Sequence, residues 1–213
     1  MEYKFNHNDM KSEKIKKLIS FFYEIGTLRK IPRAHQQTLL FQDLTDNITS
    51  HSFRTAFIGY FLAKELKIDV DKVMKMCLLH DIEETRSGDQ NWVYKKYVKV
   101  FEEEIREGQL KALFPASKEL LELSKEYQER KTLEAKIAKD ADLLDQIFLL
   151  KEYELQGNKE AVDWLKRIHK KGVYQESQVE KLMFTKLAKQ IAKEAKKQKP
   201  SFWWDNLWTS KRR

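Results

Sequence analysis

The scarcity of glycine and proline most constrains what this chain can fold into. Its 213 residues include 6 Gly and 3 Pro. A sheet sandwich or barrel needs many tight turns, and those turns need Gly, Pro, Asn and Asp at special dihedral angles. So few Gly and Pro exclude collagen-like and low-complexity classes and argue against an all-β fold. Aromatic residues make up 12% of the chain, which argues against disorder.

The apolar residues follow a helical period. Ile15, Leu18, Ile19 and Phe22 have the i, i+3, i+4, i+7 spacing of one helix face. Comparable patterns predict a helix from residue 49 or 50 and others over about 69–85, 91–108, 117–130, 132–156, 158–171 and 176–198. Because no repeat or long linker divides the chain, we predict an all-α fold of about eight helices. The main domain covers 1–175, and a basic amphipathic helix with an aromatic tail covers 176–213.

The net charge of +8 belongs to the C-terminal region. Residues 159–213 carry 15 Lys and Arg against 6 Asp and Glu, so the rest of the chain is nearly neutral. The last predicted helix has an apolar stripe on the side opposite its lysines. Four large aromatic residues follow the helix: Phe202, Trp203, Trp204 and Trp208. We expect both features to pack on the body or on a second subunit. Binding to a membrane or to nucleic acid is the alternative.

The expected cellular compartment is inferred from three features that the sequence lacks: a possible disulfide, a signal-peptide pattern and an apolar run long enough for a membrane span. Cys77 is the single cysteine, lies in an apolar run and cannot form a disulfide within the chain, which fits a reducing compartment. The N-terminal segment lacks a signal-peptide pattern, and no apolar run approaches the ~18 residues of a membrane span. We therefore expect a cytoplasmic protein with no membrane span.

His80 and Asp81 stand together at the end of an apolar helix, where burying a charge is costly. Such a pair persists when it is neutralised or binds a metal. The two side chains offer a nitrogen and an oxygen ligand, His51 offers a second nitrogen from another helix, and a carboxylate from a third helix would complete the set. Mixed N/O ligation suits divalent Mn, Fe, Co, Ni or Zn, and such an ion activates water as a nucleophile.

The fourth ligand must be chosen between two aspartates of one long helix. Asp140 and Asp142 lie two residues apart, about 200° around the helix axis, so they cannot both face the same interior. Asp142 shares its face with Ala138 and Leu149, whereas Asp140 follows Lys136 at i−4 and looks more exposed. The periodicity slightly favours Asp142.

These residues belong to four ordered segments that carry a family resemblance. The segments are LRKIPR (28–33), TSHSFRTAFIGYFLA (49–63), LLHDIEETRSGD (78–89) and AKDADLLDQIFLLKEYE (138–154). With their H…HD…D pattern they resemble the HD-domain metal-dependent phosphohydrolases, in particular the 5′-deoxynucleotidase branch, over roughly residues 11–170. The resemblance implies an all-α HD domain, a homodimer and hydrolysis of (deoxy)nucleoside 5′-monophosphates.

The resemblance also implies a role for each residue of the catalytic centre. One divalent metal ion (Mn, Co, Fe, Ni, Zn or Mg) would be held by His51, His80, Asp81 and Asp142. Glu84 would act as general acid/base or orient the water, as its position one turn after His80 allows. Asp89, after the turn at Gly88, would contact the sugar or assist protonation of the leaving group.

Three further residues are implied on the substrate side. Lys30 would meet the phosphate, and Arg33 is a second candidate, because a phosphate dianion needs positive partners. Ile31 stands where some family members carry an aromatic residue near the sugar, so discrimination against ribose is expected to be weaker. The alternative function is a regulatory module that binds nucleotide or nucleic acid through the basic tail. The complete ligand set favours the enzyme, and nucleic acid is not the expected partner.

Overall fold

Helices dominate the residues that the computed structural model describes, which are 12–165, 176–205 and 207. The long helices are α1 Ser12–Ile25, α3 Ile48–Leu66, α4 Val70–Leu79, α7 Glu102–Leu110, α8 Ser117–Glu129, α9 Leu133–Leu155, α10 Lys159–Leu165 and α12 Lys186–Ala195. The short ones are a 3-10 helix Gly26–Lys30 and α2 His35–Thr38, α5 Glu84–Ser87, α6 Trp92–Tyr97, α11 Gln178–Lys181 and α13 Phe202–Asp205. The all-α prediction is confirmed, with more segments than the eight expected because several span a single turn.

The centre of the fold is the contact among α3, α4 and α9. Gly59 of α3 makes it possible, since a Cβ built there would lie 2.7 Å from Cys77 Sγ, 3.1 Å from Val73 Cγ1 and 3.7 Å from Ala141 Cβ. A close helix approach of this kind excludes any larger side chain at residue 59. Helices α8, α10 and α12 pack against α9, whose 23 residues form the middle of the core.

Polar side chains cap the first turns of the central helices α3 and α4. Both helices begin within one or two residues of the positions predicted from the sequence. The Asn47 side chain accepts a hydrogen bond from the Ser50 backbone amide at the start of α3. The Asp69 side chain accepts one from the Lys72 backbone amide at the start of α4. Each satisfies an amide that has no partner within its helix. Gly157 has φ 90° after α9, as expected of a residue that ends a helix. No described helix has both the length and the apolar character of a membrane span.

Two of the predicted helices are interrupted in the middle of the chain. The helix expected to reach residue 85 ends at Leu79, and a turn separates it from α5. The helix expected over 91–108 is α6 and α7, and Val98 between them is extended. No residue in that gap is a helix breaker. Gln109 of α7 donates a hydrogen bond to the Ile82 carbonyl, which holds α7 against the turn after His80.

The predicted helix over 176–198 is also two helices, α11 and α12. The Phe184 and Thr185 amides between them and the Thr185 hydroxyl donate to the carboxylate of Asp140. Asp140 is therefore fully buried, and the expectation that it is more exposed is wrong. Its face of α9 is covered by a chain segment more than forty residues away in sequence, which periodicity within α9 does not show.

The basic helix α12 lies against the body of the fold. Ala188 and Ala192 of α12 are buried against α9, and Lys189 and Lys197 pair with glutamates of the same region. The aromatic tail is covered only in part, since Phe202, Trp203 and Trp204 are 48–69% exposed. Trp208 and the predicted helix end near Gly172 lie outside the described residues.

The close approach at Gly59 generates a stability prediction. Gly59→Ala should lower the free energy of unfolding by about 1–3 kcal/mol, because the added methyl group would overlap Cys77 Sγ. Urea denaturation measures the change. Gly26→Ala is the control, since its Cβ meets no atom within 4 Å, and it should not destabilise the protein. Equal losses in both variants would contradict the packing described here.

Candidate metal centre

Two histidine rings come together with their orientation fixed by other groups. His51 lies in the first turn of α3, and its Nδ1 is 2.6 Å from Asp145 Oδ2 of α9. His80 follows the last residue of α4, and its Nδ1 is 2.7 Å from the Cys77 carbonyl oxygen. A carbonyl oxygen only accepts, so His80 Nδ1 carries the hydrogen and Nε2 presents its lone pair. Asp145 favours the same arrangement in His51.

The two Nε2 atoms meet at a point that two carboxylates also reach. They are 3.0 Å apart. Asp81 Oδ2 is 3.1 Å from His80 Nε2 and 3.5 Å from His51 Nε2. Asp142 Oδ1 is 3.3 Å from His51 Nε2 and 4.0 Å from His80 Nε2. The four side chains named by the sequence analysis thus converge from α3, the end of α4 and α9.

This donor set fits a divalent metal ion. Two imidazole nitrogens with lone pairs facing each other at 3.0 Å, beside two carboxylates, need a cation or a proton between them. Without metal a proton can serve: burial and Arg33 lower the pKa of His51, but Asp142 and Asp145 outweigh them and raise it to about 9. His51, His80 and Asp142 each offer a ligand atom within 4.8 Å of the others, and N/O ligands of this kind suit first-row divalent ions.

Arg33 is the cation that the fold brings to the centre. Its Nη1 is 3.1 Å from Asp81 Oδ2, and its Nε is 3.5 Å from Asp89 Oδ2, which also accepts the Ala34 amide at 2.7 Å. Burial opposes ionisation of the guanidinium, but Asp89 and Asp81 raise its pKa above the usual value. Lys30 is exposed at the end of the 3-10 helix.

Ile31 and Gly88 shape the backbone next to Arg33 and Asp89. The Ile31 carbonyl accepts a hydrogen bond from the Ile48 amide, and this bond fixes the segment before Arg33 against the start of α3. The Ile31 side chain is half-buried. Gly88 ends α5 with φ 70°, a conformation that favours glycine, and so turns the chain towards Asp89.

Glu84 lies beside the metal centre in a cavity of about 120 Å³ that His80, Asp81 and Asp142 also line. Its Oε2 atom is buried and has no hydrogen-bond partner among the described residues. Burial, Asp81 and Asp89 raise the pKa of this carboxyl well above its ordinary value, and Arg33 only partly opposes them. A buried oxygen of this kind is available to a ligand in the cavity.

The sequence analysis missed Asp145 and Arg54 as members of the centre. Asp145 orients His51, and Arg54 pairs with Asp145 and, at 2.6 Å, with Glu152 Oε1. Both were detectable in principle. Asp145 lies one turn after Asp142 on one face of α9, and Arg54 lies one turn after His51 on α3.

A family model for the HD domain matches residues 25–183, which is most of the chain. The chain belongs to the HD domain family. The family recognised from the sequence is thereby confirmed.

This HD domain is 32% identical to the 5′-deoxynucleotidase HDDC2 of Dictyostelium discoideum over 129 residues, which are 54% of this chain and 66% of that protein. It is 30% identical to the bovine (Bos taurus) 5′-deoxynucleotidase HDDC2 over 147 residues, 67% of this chain and 70% of the relative. The match thus spans about two thirds of each relative's length.

A solved structure has a similar fold. A conserved hypothetical protein from Pyrococcus furiosus superposes with a TM-score of 0.64 at 32% identity, over 84% of this chain and 99% of that one. The family, the fold and the donor set together support a metal-dependent hydrolase.

Substitutions of Asp140 and Asp142 in α9 should have different effects, one on metal affinity and the other on stability. Asp142→Ala should weaken Co²⁺ binding by more than the roughly 10- to 100-fold that loss of a ligand's supporting group costs. Asp140→Ala should leave Co²⁺ affinity unchanged but lower the free energy of unfolding by about 1–3 kcal/mol, because it strands the Phe184 and Thr185 donors. Calorimetric titration and urea denaturation check the pair, and the reverse pattern would show that the ligand is Asp140.

Asp145 should act on the metal through His51. In Asp145→Asn an amide can donate to His51 Nδ1 and shift the hydrogen to Nε2, so Co²⁺ affinity should fall about 10- to 100-fold. Glu152→Gln is the matched control, because it removes the other carboxylate partner of Arg54 without touching His51. A similar loss in both variants would mean that Arg54 pairing, rather than the orientation of His51, controls affinity.

Proposed function

We propose that this HD domain is a metal-dependent phosphomonoesterase that removes the 5′-phosphate from (deoxy)nucleoside 5′-monophosphates. The observation that carries the proposal is the convergence of the His51 and His80 Nε2 atoms with two carboxylates, beside the half-buried cation Arg33. The relatives at about 30% identity whose names state 5′-deoxynucleotidase activity support the substrate class.

The four converging side chains, His51, His80, Asp81 and Asp142, would hold one divalent ion. When bound, the ion would supply activated water for attack on phosphorus and positive charge for the phosphate oxygens. Asp145 and the Cys77 carbonyl keep both Nε2 atoms directed at it. The site residues therefore have their orientation before any substrate arrives.

Arg33 is the better placed of the two candidate phosphate cations. A guanidinium can bind two phosphate oxygens at once, and Asp81 and Asp89 hold this one beside the metal ligands. We therefore assign the phosphate contact to Arg33 rather than to the exposed Lys30. Asp89 supports that contact by fixing both Arg33 and the Ala34 amide.

Glu84 is our proposed proton-transfer residue. The reaction breaks the bond between phosphorus and the sugar oxygen, and that oxygen needs a proton as it leaves. Glu84 directs a buried, unpartnered oxygen at the cavity lined by the metal ligands. The sugar preference implied by Ile31, the homodimer and the cytoplasmic location stay predictions.

Phosphate release tests the proposal directly. Wild-type protein should release phosphate from deoxynucleoside and ribonucleoside 5′-monophosphates when supplied with Mn²⁺, Co²⁺, Mg²⁺ or Zn²⁺, and chelation should abolish the release. Asp81→Asn should lower kcat/KM by about 100-fold or more, because a charged ligand at the reacting centre is lost. A colorimetric phosphate assay across the nucleotide panel measures this.

Asp71→Asn provides the matched control. Asp71 lies on α4 like the residues leading to the centre, but it is 75% exposed and pairs with Lys75. Its substitution should leave kcat/KM unchanged. Wild-type protein that stays inert with every metal would refute the enzyme proposal and favour the regulatory module.

A further inference from the structure

Arg130 is a second arginine beside the metal centre. It follows the last residue of α8 and lines the cavity of about 120 Å³ together with His80, Asp81 and Asp142. Nothing in the sequence pattern marks it, because it stands in a polar run between Glu129 and Lys131. Only the fold brings its side chain to the cavity.

The position of the Arg130 guanidinium is set by an aromatic contact. Its central carbon lies 3.4 Å from the centre of the Tyr127 ring, a stacking distance. The Tyr127 ring in turn contacts the His80 ring edge to face, with 5.7 Å between centroids. The guanidinium is therefore held in a fixed relation to a proposed metal ligand. Its backbone is left-handed, with φ 54°.

The Nη1 atom of Arg130 is a buried donor without an acceptor. It has no hydrogen-bond partner among the described residues. Arg33 pairs with Asp81 and Asp89, and Lys139 pairs with Asp142 at 2.5 Å. Lys95, a further cation that lines the cavity, is exposed to solvent. An unsatisfied buried donor is costly in a folded protein. A ligand oxygen in the cavity would remove that cost.

The size of the cavity indicates which part of a substrate enters it. Sites that enclose a whole drug-sized ligand measure about 300–1,000 Å³, whereas this cavity is about 120 Å³. It has room for a phosphate group and a few water molecules but not for a nucleoside. The residues that line the cavity include Arg130, with its unpaired Nη1, and three of the proposed metal ligands, His80, Asp81 and Asp142.

We propose that Arg130 Nη1 binds an oxygen of the substrate phosphate group, on the Tyr127 side of the metal centre. The inference rests on the proposed function, since it assigns the phosphate of that substrate to this cavity. Arg130 lines this cavity, whereas Arg33 would reach the phosphate from the side of Asp81, which pairs with Arg33 and lines the cavity. The nucleoside then extends from the cavity mouth. Arg130 is a substrate-binding residue and takes no part in holding the metal.

Binding of inorganic phosphate to the Mn²⁺-loaded protein tests the inference. Arg130→Asn removes the cation, and Asn tolerates left-handed backbone better than most residues. Loss of a charge-assisted hydrogen bond should weaken phosphate binding roughly 10- to 100-fold and raise KM for the nucleoside monophosphate similarly. Mn²⁺ affinity should stay unchanged. Lys131→Asn is the matched control, because that neighbouring cation is 76% exposed and pairs with Glu129.

The outcomes separate this inference from the proposed function. Weaker phosphate binding in Arg130→Asn but not in Lys131→Asn, at equal Mn²⁺ affinity, supports the contact, even if no nucleotide tested is hydrolysed. Phosphate affinity equal to wild type in Arg130→Asn, equal losses in both variants, or no phosphate binding by wild type would overturn it. Absence of hydrolysis with phosphate binding intact would refute the substrate assignment alone.

Discussion

The contact of three helices at Gly59 is the constraint on which the metal centre depends. Gly59 lies on α3 two turns after His51. A Cβ at this position would lie within 4 Å of Cys77, one turn before His80, and of Ala141, next to Asp142. The absence of one Cβ therefore sets the separation of the three chain segments that carry proposed ligands. Because helices are stiff and their side chains reach only a few ångströms, a larger separation would pull the two Nε2 atoms apart.

Electrostatics then explains why so many groups can share one buried place. Asp81, Asp142 and Asp145 would repel one another there, and burial would drive them to take up protons. The cations Arg33 and Arg54 and the His51 ring prevent this, and the pKa of Asp142 stays well below its usual range despite burial, because Lys139 and the two histidines favour its charged form. For Glu84 the charge of Arg33 only partly offsets burial and the nearby Asp81 and Asp89, so the pKa of Glu84 moves in the opposite direction. One cluster thus contains carboxylates suited to ligation and a carboxyl suited to proton transfer.

The parts of the fold that could be predicted from sequence are those set by local pattern. Helix periodicity and caps such as Asp69 are local, so the all-α class and the start of α4 were predictable. The periodicity of one helix face also favoured Asp142, whose Oδ1 lies 3.3 Å from His51 Nε2, and its role as a metal ligand stays a prediction. Asp140 was misjudged because its partners, Phe184 and Thr185, come from a distant segment. The turn after His80 also has a partner from a distant segment, since its Ile82 carbonyl accepts a hydrogen bond from Gln109 of α7.

The same distinction applies to positive charge. The net charge of the sequence draws attention to the C-terminal lysines, yet Lys189 and Lys197 pair with glutamates of their own region, and exposed charges are screened within about 8 Å at physiological ionic strength. A guanidinium that is largely enclosed by protein is screened much less and acts with a fixed geometry. Arg33 and Arg130 acquire that environment only through tertiary contacts, with Asp89 in one case and Tyr127 in the other. Charge at a phosphate-binding site is thus a property of burial and orientation, so a count of basic residues points to the wrong end of this chain.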